Sequence, residues 1–254
     1  MTSREVTRTA IVQALDRRLR PLPYADAFWE GGAAAWGRVD AWSDIDLYTV
    51  VEEKKVSDVL GVIEEALSDL SPIQQTYVVT WPPSAGIAQR FYRLRDASPF
   101  LLVDLAVLAR SAPDKFLEPE VHGQNVVYFD KTGVTEVPSL DQKAFDRKLS
   151  DRLDKLKETV EMFHPSVERE IHREHWIEGF DTYRAYVLGP LIEVLRMKHG
   201  PLHHDFRTKY VYHELPVNVA NRLEGLTFVE ASTDLLEKYG EALRWFREVV
   251  AELT

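Results

Sequence analysis

The chain has 254 residues, 45% hydrophobic and 28% charged, enough apolar material for one large domain or two ordinary ones and too much for a disordered polymer. Its formal net charge of −10 repels phosphate backbones and anionic membranes and draws cations, so nucleic acid is disfavoured as a partner. There is no cysteine, which removes disulfides, thiolate zinc sites and cysteine nucleophiles together. The first twenty or so residues set Ile11, Leu15 and Leu19 at helical spacing among polar ones, without the continuous apolar run of a signal peptide. The longest apolar stretch, 100–109, is too short to span a bilayer and contains Asp104. A cytoplasmic protein with no membrane partner is expected.

After the first helix, residues 24–30 read as a strand running into Gly31-Gly32, with a short helix from Ala33 to Arg38 behind it. A β-rich run follows at 45–52, then a helix over 57–70 that puts Leu60, Ile63 and Leu67 on one face ahead of Pro72. Further strands are predicted over 73–81, 88–95 and 100–108, with Pro82-Pro83 separating the first two. One short strand, 125–129, stands in the proline- and glycine-containing stretch 110–140. Helices then dominate. Phe145, Leu149, Leu153, Leu156, Val160 and Phe163 recur at intervals of three and four, and further helices are predicted over 167–199 and 233–253. The pattern predicts an α+β fold, with a mixed-sheet domain over 1–138 and an all-helical domain over 139–254.

Asp44 and Asp46 flank Ile45 at the head of the 45–52 strand. Residues i and i+2 of a strand share a face, so the two carboxylates project together while Ile45 and Leu47 point into the core. Two carboxylates this close repel, and a divalent cation relieves that cost; Mg²⁺ favours a few carboxylates plus phosphate oxygens and water. The glycine pair allows close approach of backbone to a ligand, and a helix start behind it offers free N–H groups to phosphates. Arg38 and Ser43 are candidate nucleotide contacts, each with a plain loop role as the alternative; Asp40 reads as a turn residue. Asp104, in the middle of an apolar strand, is the natural third carboxylate if its strand lies beside that of Asp46.

Gly31-Gly32, eleven intervening residues, then Asp44-Ile45-Asp46-Leu47, with Asp104 on a later strand, resembles the signature of the polymerase-beta-like nucleotidyltransferase superfamily. The stretch 31–47 is most similar to the minimal and antibiotic-modifying branches. The resemblance covers about residues 25–108 and departs at two positions: Glu30 stands where an apolar residue is usual, and Gly32 where a serine often holds a phosphate. It implies two Mg²⁺ ions, one held by Asp44 and Asp46 with the triphosphate and a second shared with Asp104. It also implies transfer of a nucleoside monophosphate, AMP from ATP, to a hydroxyl of a small acceptor with release of pyrophosphate. The negative net charge favours a cationic acceptor, bound at the helical domain.

Several other features carry blander readings. His172 and His175 are expected to lie on a polar helix face, since no H-E-x-x-H pattern accompanies them. Trp176, Phe180 and Tyr183 read as a core stripe, with Glu174 and Glu178 as solvated helix residues beside it. His203-His204-Asp205 reads as a polar connection within a segment rich in Arg, Lys, His and Tyr. Arg207 and His213, five residues between them, resemble the arginine–histidine pair of HEPN-type ribonucleases, which gives one alternative function. A non-catalytic, antitoxin-like nucleotidyltransferase fold acting through a protein partner is the other.

Overall fold

The computed structural model describes residues 5–136 and 139–254. The expected domain boundary at residue 138 lies outside the described residues; the chain divides into two compact units, Met1–Leu140 and Asp141–Thr254.

The first unit is built on a six-stranded mixed sheet. Its strands are β1 (Ala25–Glu30), β2 (Ile45–Val51), β3 (Ile73–Val79), β4 (Ile87–Leu94), β5 (Val103–Ala109) and β6 (Val126–Asp130), in the order β3-β4-β5-β2-β1-β6. The β2–β5 pairing is parallel and the others are antiparallel. Two helices cover one face: α1 (Arg8–Leu19), capped by the Thr7 hydroxyl, and α3 (Val56–Leu70). Ile11, Leu15 and Leu19 of α1 and Val59, Ile63 and Leu67 of α3 pack there on Ile45, Leu47, Val103, Leu105 and Val107. The period-two alternation therefore sends Asp46, Tyr48 and Asp104 to the opposite face. That face carries a small apolar cluster, Ala27, Trp29, Val50, Ala106 and Leu108 with Ala112 and Leu117. A one-turn helix α2 (Gly32–Ala35) follows β1, and a second short turn, α4 (Pro119–His122), precedes β6.

The second unit is all helical: α5 (Gln142–Phe163), α6 (Pro165–His172), α7 (Trp176–Tyr183), α8 (Gly189–His199), α9 (Val211–Glu214), α10 (Val217–Thr227) and α11 (Ser232–Leu253). Its core takes Leu153, Leu156 and Val160 from α5, Leu191, Val194 and Leu195 from α8, and Tyr239, Ala242, Phe246 and Val249 from α11. The apolar stripe predicted along α5 frays at its end, where Phe163 is 45% exposed. A five-residue π-helical stretch, Arg184–Leu188, joins α7 to α8; it stands just before Pro190, which has no N–H to give to a regular helical turn. The α9 and α10 segments were not legible beforehand, and the short helix predicted over 33–38 ends at Ala35.

Arg196 is the unexpected feature of this unit. It lies on α8, 1% exposed, and donates to the carbonyls of His203, Arg207 and Lys209 and to Glu214. Glu214 also meets His203 Nδ1 at 3.1 Å, so one buried guanidinium ties down the whole 200–214 connection.

Candidate active site

Asp46 on β2 stands directly opposite Asp104 on β5 in the parallel register. Paired residues of adjacent strands project to the same face, so the two carboxylates are neighbours. Asp104 is the second residue of its strand and half-buried, rather than deep in the core as its apolar neighbours suggest. Asp44 lies one residue ahead of β2, also half-buried. Tyr48, two residues beyond Asp46 on the same face, reports their combined field. Burial raises its phenol pKa most, followed by the negative charges of Asp46, Asp104, Asp114 and Asp44.

The sequence motif brings Asp46 and Asp104 side by side, but Asp44 is not drawn into a tight trio. Among the described residues, the group whose ligand atoms all lie within 4.8 Å of one another is Asp114, Glu118 and His122. It is adjacent in the fold: Phe116 packs 5.7 Å from the Tyr48 ring and 5.7 Å from that of His122.

The two glycines do different work from a helix-terminus site. With only one turn behind them, α2 has little dipole to offer. Gly32 instead makes room. A Cβ there would lie 1.7 Å from Asp46 Oδ2, and its φ of +54° is a conformation that side chains resist. This explains why no serine stands at 32: it would collide with the carboxylate. At Gly31 a Cβ would meet the Tyr48 ring at 3.0 Å, and its N–H donates to the Asp46 carbonyl at 2.9 Å.

Arg38 is half-buried with its guanidinium 5.3 Å from the Trp36 ring centroid. The Ser43 hydroxyl donates to Asp40 Oδ1 at 2.8 Å and accepts from the Asp40 N–H at 2.9 Å, so it serves the turn. Asp40 is the turn residue expected. Its pKa is lowered, by the Ser43 hydroxyl first and then the Trp42 N–H.

Glu30 proves to be a buried anchor. It is 4% exposed and accepts from the Arg8 guanidinium and the Tyr128 hydroxyl. Arg8 also donates to the carbonyls of Ser43 and Asp44, which fastens the approach to β2 onto α1. Sequence reading missed Arg8, Tyr48 and also Gln89, which donates to Asp104. Charge at Glu30, at the end of a strand that is buried along its whole length, was the signal that a partner must exist.

The remaining candidates separate. His172 ends α6 and His175 precedes α7, with Glu174 between them at a φ of +55°, so the two histidines do not share one helix. His175 instead meets Glu170 at 3.2 Å. Of the predicted aromatic stripe, Tyr183 is fully buried, but Trp176 is 39% exposed. Arg207 sits in a connection with a φ of +54° and His213 on the short α9, both exposed, so their spacing is not that of one helix. Among the described residues no helix is long and apolar enough to cross a membrane.

No family model matches the chain, and no curated protein matches it. Among solved structures it is similar to a nucleotidyltransferase-like protein from Exiguobacterium sibiricum 255-15, at 10% identity and a TM-score of 0.40, over 95% of this chain and 74% of that one. It is also similar to spectinomycin adenyltransferase AAD(9) from Enterococcus faecialis, solved with ATP and spectinomycin, at 11% identity and a TM-score of 0.38, over 97% and 99% of the two chains. The structures it resembles are nucleotidyltransferases. At these scores the likeness carries no weight for the chemistry, which rests on the carboxylates and their register.

Proposed function

We propose that the chain is a metal-dependent nucleotidyltransferase that moves AMP from ATP to a hydroxyl of a small, cationic acceptor. The observation that carries this reading is the Asp46–Asp104 pairing on the face of the sheet opposite α1 and α3, with Gly32 cut back to seat the Asp46 carboxylate. The donor set fits a divalent cation: hard carboxylate oxygens on adjacent strands, half-buried, close enough together that their charges add to burial in raising the Tyr48 pKa.

Asp44 and Asp46 would hold Mg²⁺ with the triphosphate, and Asp104 would join them in holding a second ion. Bound there, Mg²⁺ offsets the triphosphate charge and lowers the pKa of the acceptor hydroxyl. Asp104 takes the hydroxyl proton. The acceptor oxygen then bonds to the α-phosphorus, the α–β bridging bond breaks, and pyrophosphate leaves with its electron pair. Gly31 and Gly32 are assigned to the nucleotide site through the room they leave for the Tyr48 ring and the Asp46 carboxylate, and the Tyr48 hydroxyl is available as a hydrogen-bond donor. Arg38 is assigned to the phosphates and Ser43 to shaping the Asp44 approach. Recognition of the acceptor is assigned to the helical unit.

Thermal unfolding against nucleoside triphosphates, with and without Mg²⁺, tests the reading. A ligand at a hundred times its dissociation constant stabilises by about 2.7 kcal/mol, a shift of several degrees at roughly 2–4 °C per kcal/mol. The shift is expected with ATP and Mg²⁺ together and not for Asp46→Asn. Equal shifts in the wild type and in Asp46→Asn would overturn it.

A further inference from the structure

The sheet of the first unit has two edges, and the chain treats them differently. β6 closes one edge with five residues, and its Tyr128 carbonyl accepts from Arg20 at 2.7 Å. Arg20 and Lys131 each lie 5.1 Å from the Phe129 ring centroid. Short length and nearby cations are ordinary guards against further strand pairing. β3, at the other edge, has seven residues and no charged side chain. Residues 74–78 are all exposed; because side chains alternate, both faces of the strand are open. Tyr77 is 64% exposed and Val78 58%. The one irregularity in its pairing lies at its start, between Ile73 and Gln75.

Residues 70–89 carry no charge, the longest such run in a chain that is 28% charged and has a net charge of −10. That absence selects the partner. An edge that docks a different protein gains specificity from charges matched to that protein. An edge that docks its own copy across a two-fold axis cannot use them, because a charge near the axis meets the same charge on the other copy. We infer that β3 pairs antiparallel with β3 of a second copy of this chain, joining the two sheets. The regular part of the strand, 75–79, is centred on Tyr77. Full overlap therefore sets Tyr77 against its counterpart, Thr76 against Val78 and Gln75 against Val79. Aromatic and β-branched cross-strand pairs of this kind stabilise a sheet. Arg90 and Arg93 stand one strand back on β4, so their strands are about 14 Å from those of their counterparts, beyond the reach of unscreened repulsion. The inference does not depend on the nucleotidyltransferase reading.

Sedimentation equilibrium of the full chain over the micromolar range tests it. The wild type is expected at twice the 29.2 kDa chain mass. Tyr77→Lys, Tyr77→Glu and Val78→Lys change side chains that are already exposed, so each should keep the wild-type circular dichroism spectrum and fall to half the wild-type mass. An equal mixture of Tyr77→Lys and Tyr77→Glu should return to the dimer mass, because opposite charges then meet across the axis. A wild type that stays a single chain at every concentration would overturn the inference. So would a dimer that persists in both lysine variants, which places the interface elsewhere, or a mixture of the two position-77 variants that stays monomeric.

Discussion

Gly32 and Asp46 touch so closely that the smallest possible side chain at 32 would lie 1.7 Å from the Asp46 carboxylate. Gly32→Ala therefore has two separable effects: it strains a φ of +54° and it displaces a proposed metal ligand. Gly37 isolates the first effect, because its φ is +63° and nothing lies within 4 Å of a Cβ placed there. Gly37→Ala should lose about 1–2 kcal/mol in urea unfolding, and Gly32→Ala at least as much. Only Gly32→Ala should also lose the Mg²⁺-dependent shift with ATP. Loss of that shift in Gly37→Ala as well would mean that loop strain, not the carboxylate's position, governs the site.

Arg8 and Glu30 make a second prediction. The carboxylate is 5% exposed at its side chain and shares Arg8 and the Tyr128 hydroxyl. Arg8→Met strands that charge, which typically costs about 3–5 kcal/mol. Arg8→Met combined with Glu30→Leu should recover a large part of that stability. It should not recover nucleotide binding in full, because the bonds from Arg8 to the Ser43 and Asp44 carbonyls are still missing. Urea unfolding and the nucleotide-dependent shift, measured on both variants, separate the two roles. A double variant no more stable than Arg8→Met would show that the pair is not the source of the loss.

What was legible follows from how local each signal is. Asp44, Asp46 and Asp104 declared themselves because a carboxylate among β-branched and leucine neighbours contradicts its surroundings, and strand alternation assigns its face. The strand order did not declare itself, nor did the Arg8–Glu30 pair, whose members are 22 residues apart on different elements. Gln89 is invisible for another reason: a glutamine in a strand is ordinary, and only the pairing of β4 with β5 brings it within diagonal reach of Asp104. The break between α6 and α7 carries no proline or glycine; Glu174 adopts positive φ instead, which pattern reading cannot foresee. Helix α10 was missed because Asn218, Asn221, Gly225 and Thr227 dilute its apolar face of Ala220, Leu223 and Leu226.

The buried Arg196 predicts that the helical unit depends on a single guanidinium. Arg196→Leu removes the guanidinium from three carbonyls and from Glu214 and should destabilise by about 3–5 kcal/mol. Arg196→Lys should rescue little, since an ammonium cannot present the planar fork that reaches Arg207, His203, Lys209 and Glu214 together. Hydrogen exchange on these variants should show protection lost first across residues 200–214. Unchanged protection there would refute the idea that Arg196 holds the segment.

Glu193 gives the pH dependence its sign. Burial pushes its pKa up, but the Arg152 guanidinium at 2.6 and 2.8 Å and His204 outweigh that and bring it from 4.5 down to about 2. A carboxylate depressed in the folded state contributes stability that is fully present above its unfolded pKa. That contribution drains away as pH falls from about 4.5 through about 2. Arg152 is 46% exposed at its side chain, so solvent screening reduces the effect to on the order of 1–2 kcal/mol. Arg152→Met should therefore be less stable than the wild type by that amount at neutral pH. The gap should begin to close below about pH 4.5 and be small near pH 2. Urea unfolding of both proteins along that pH range reads it directly. A gap that stays constant into acid would assign the contribution of Arg152 to packing of its aliphatic stem rather than to its charge.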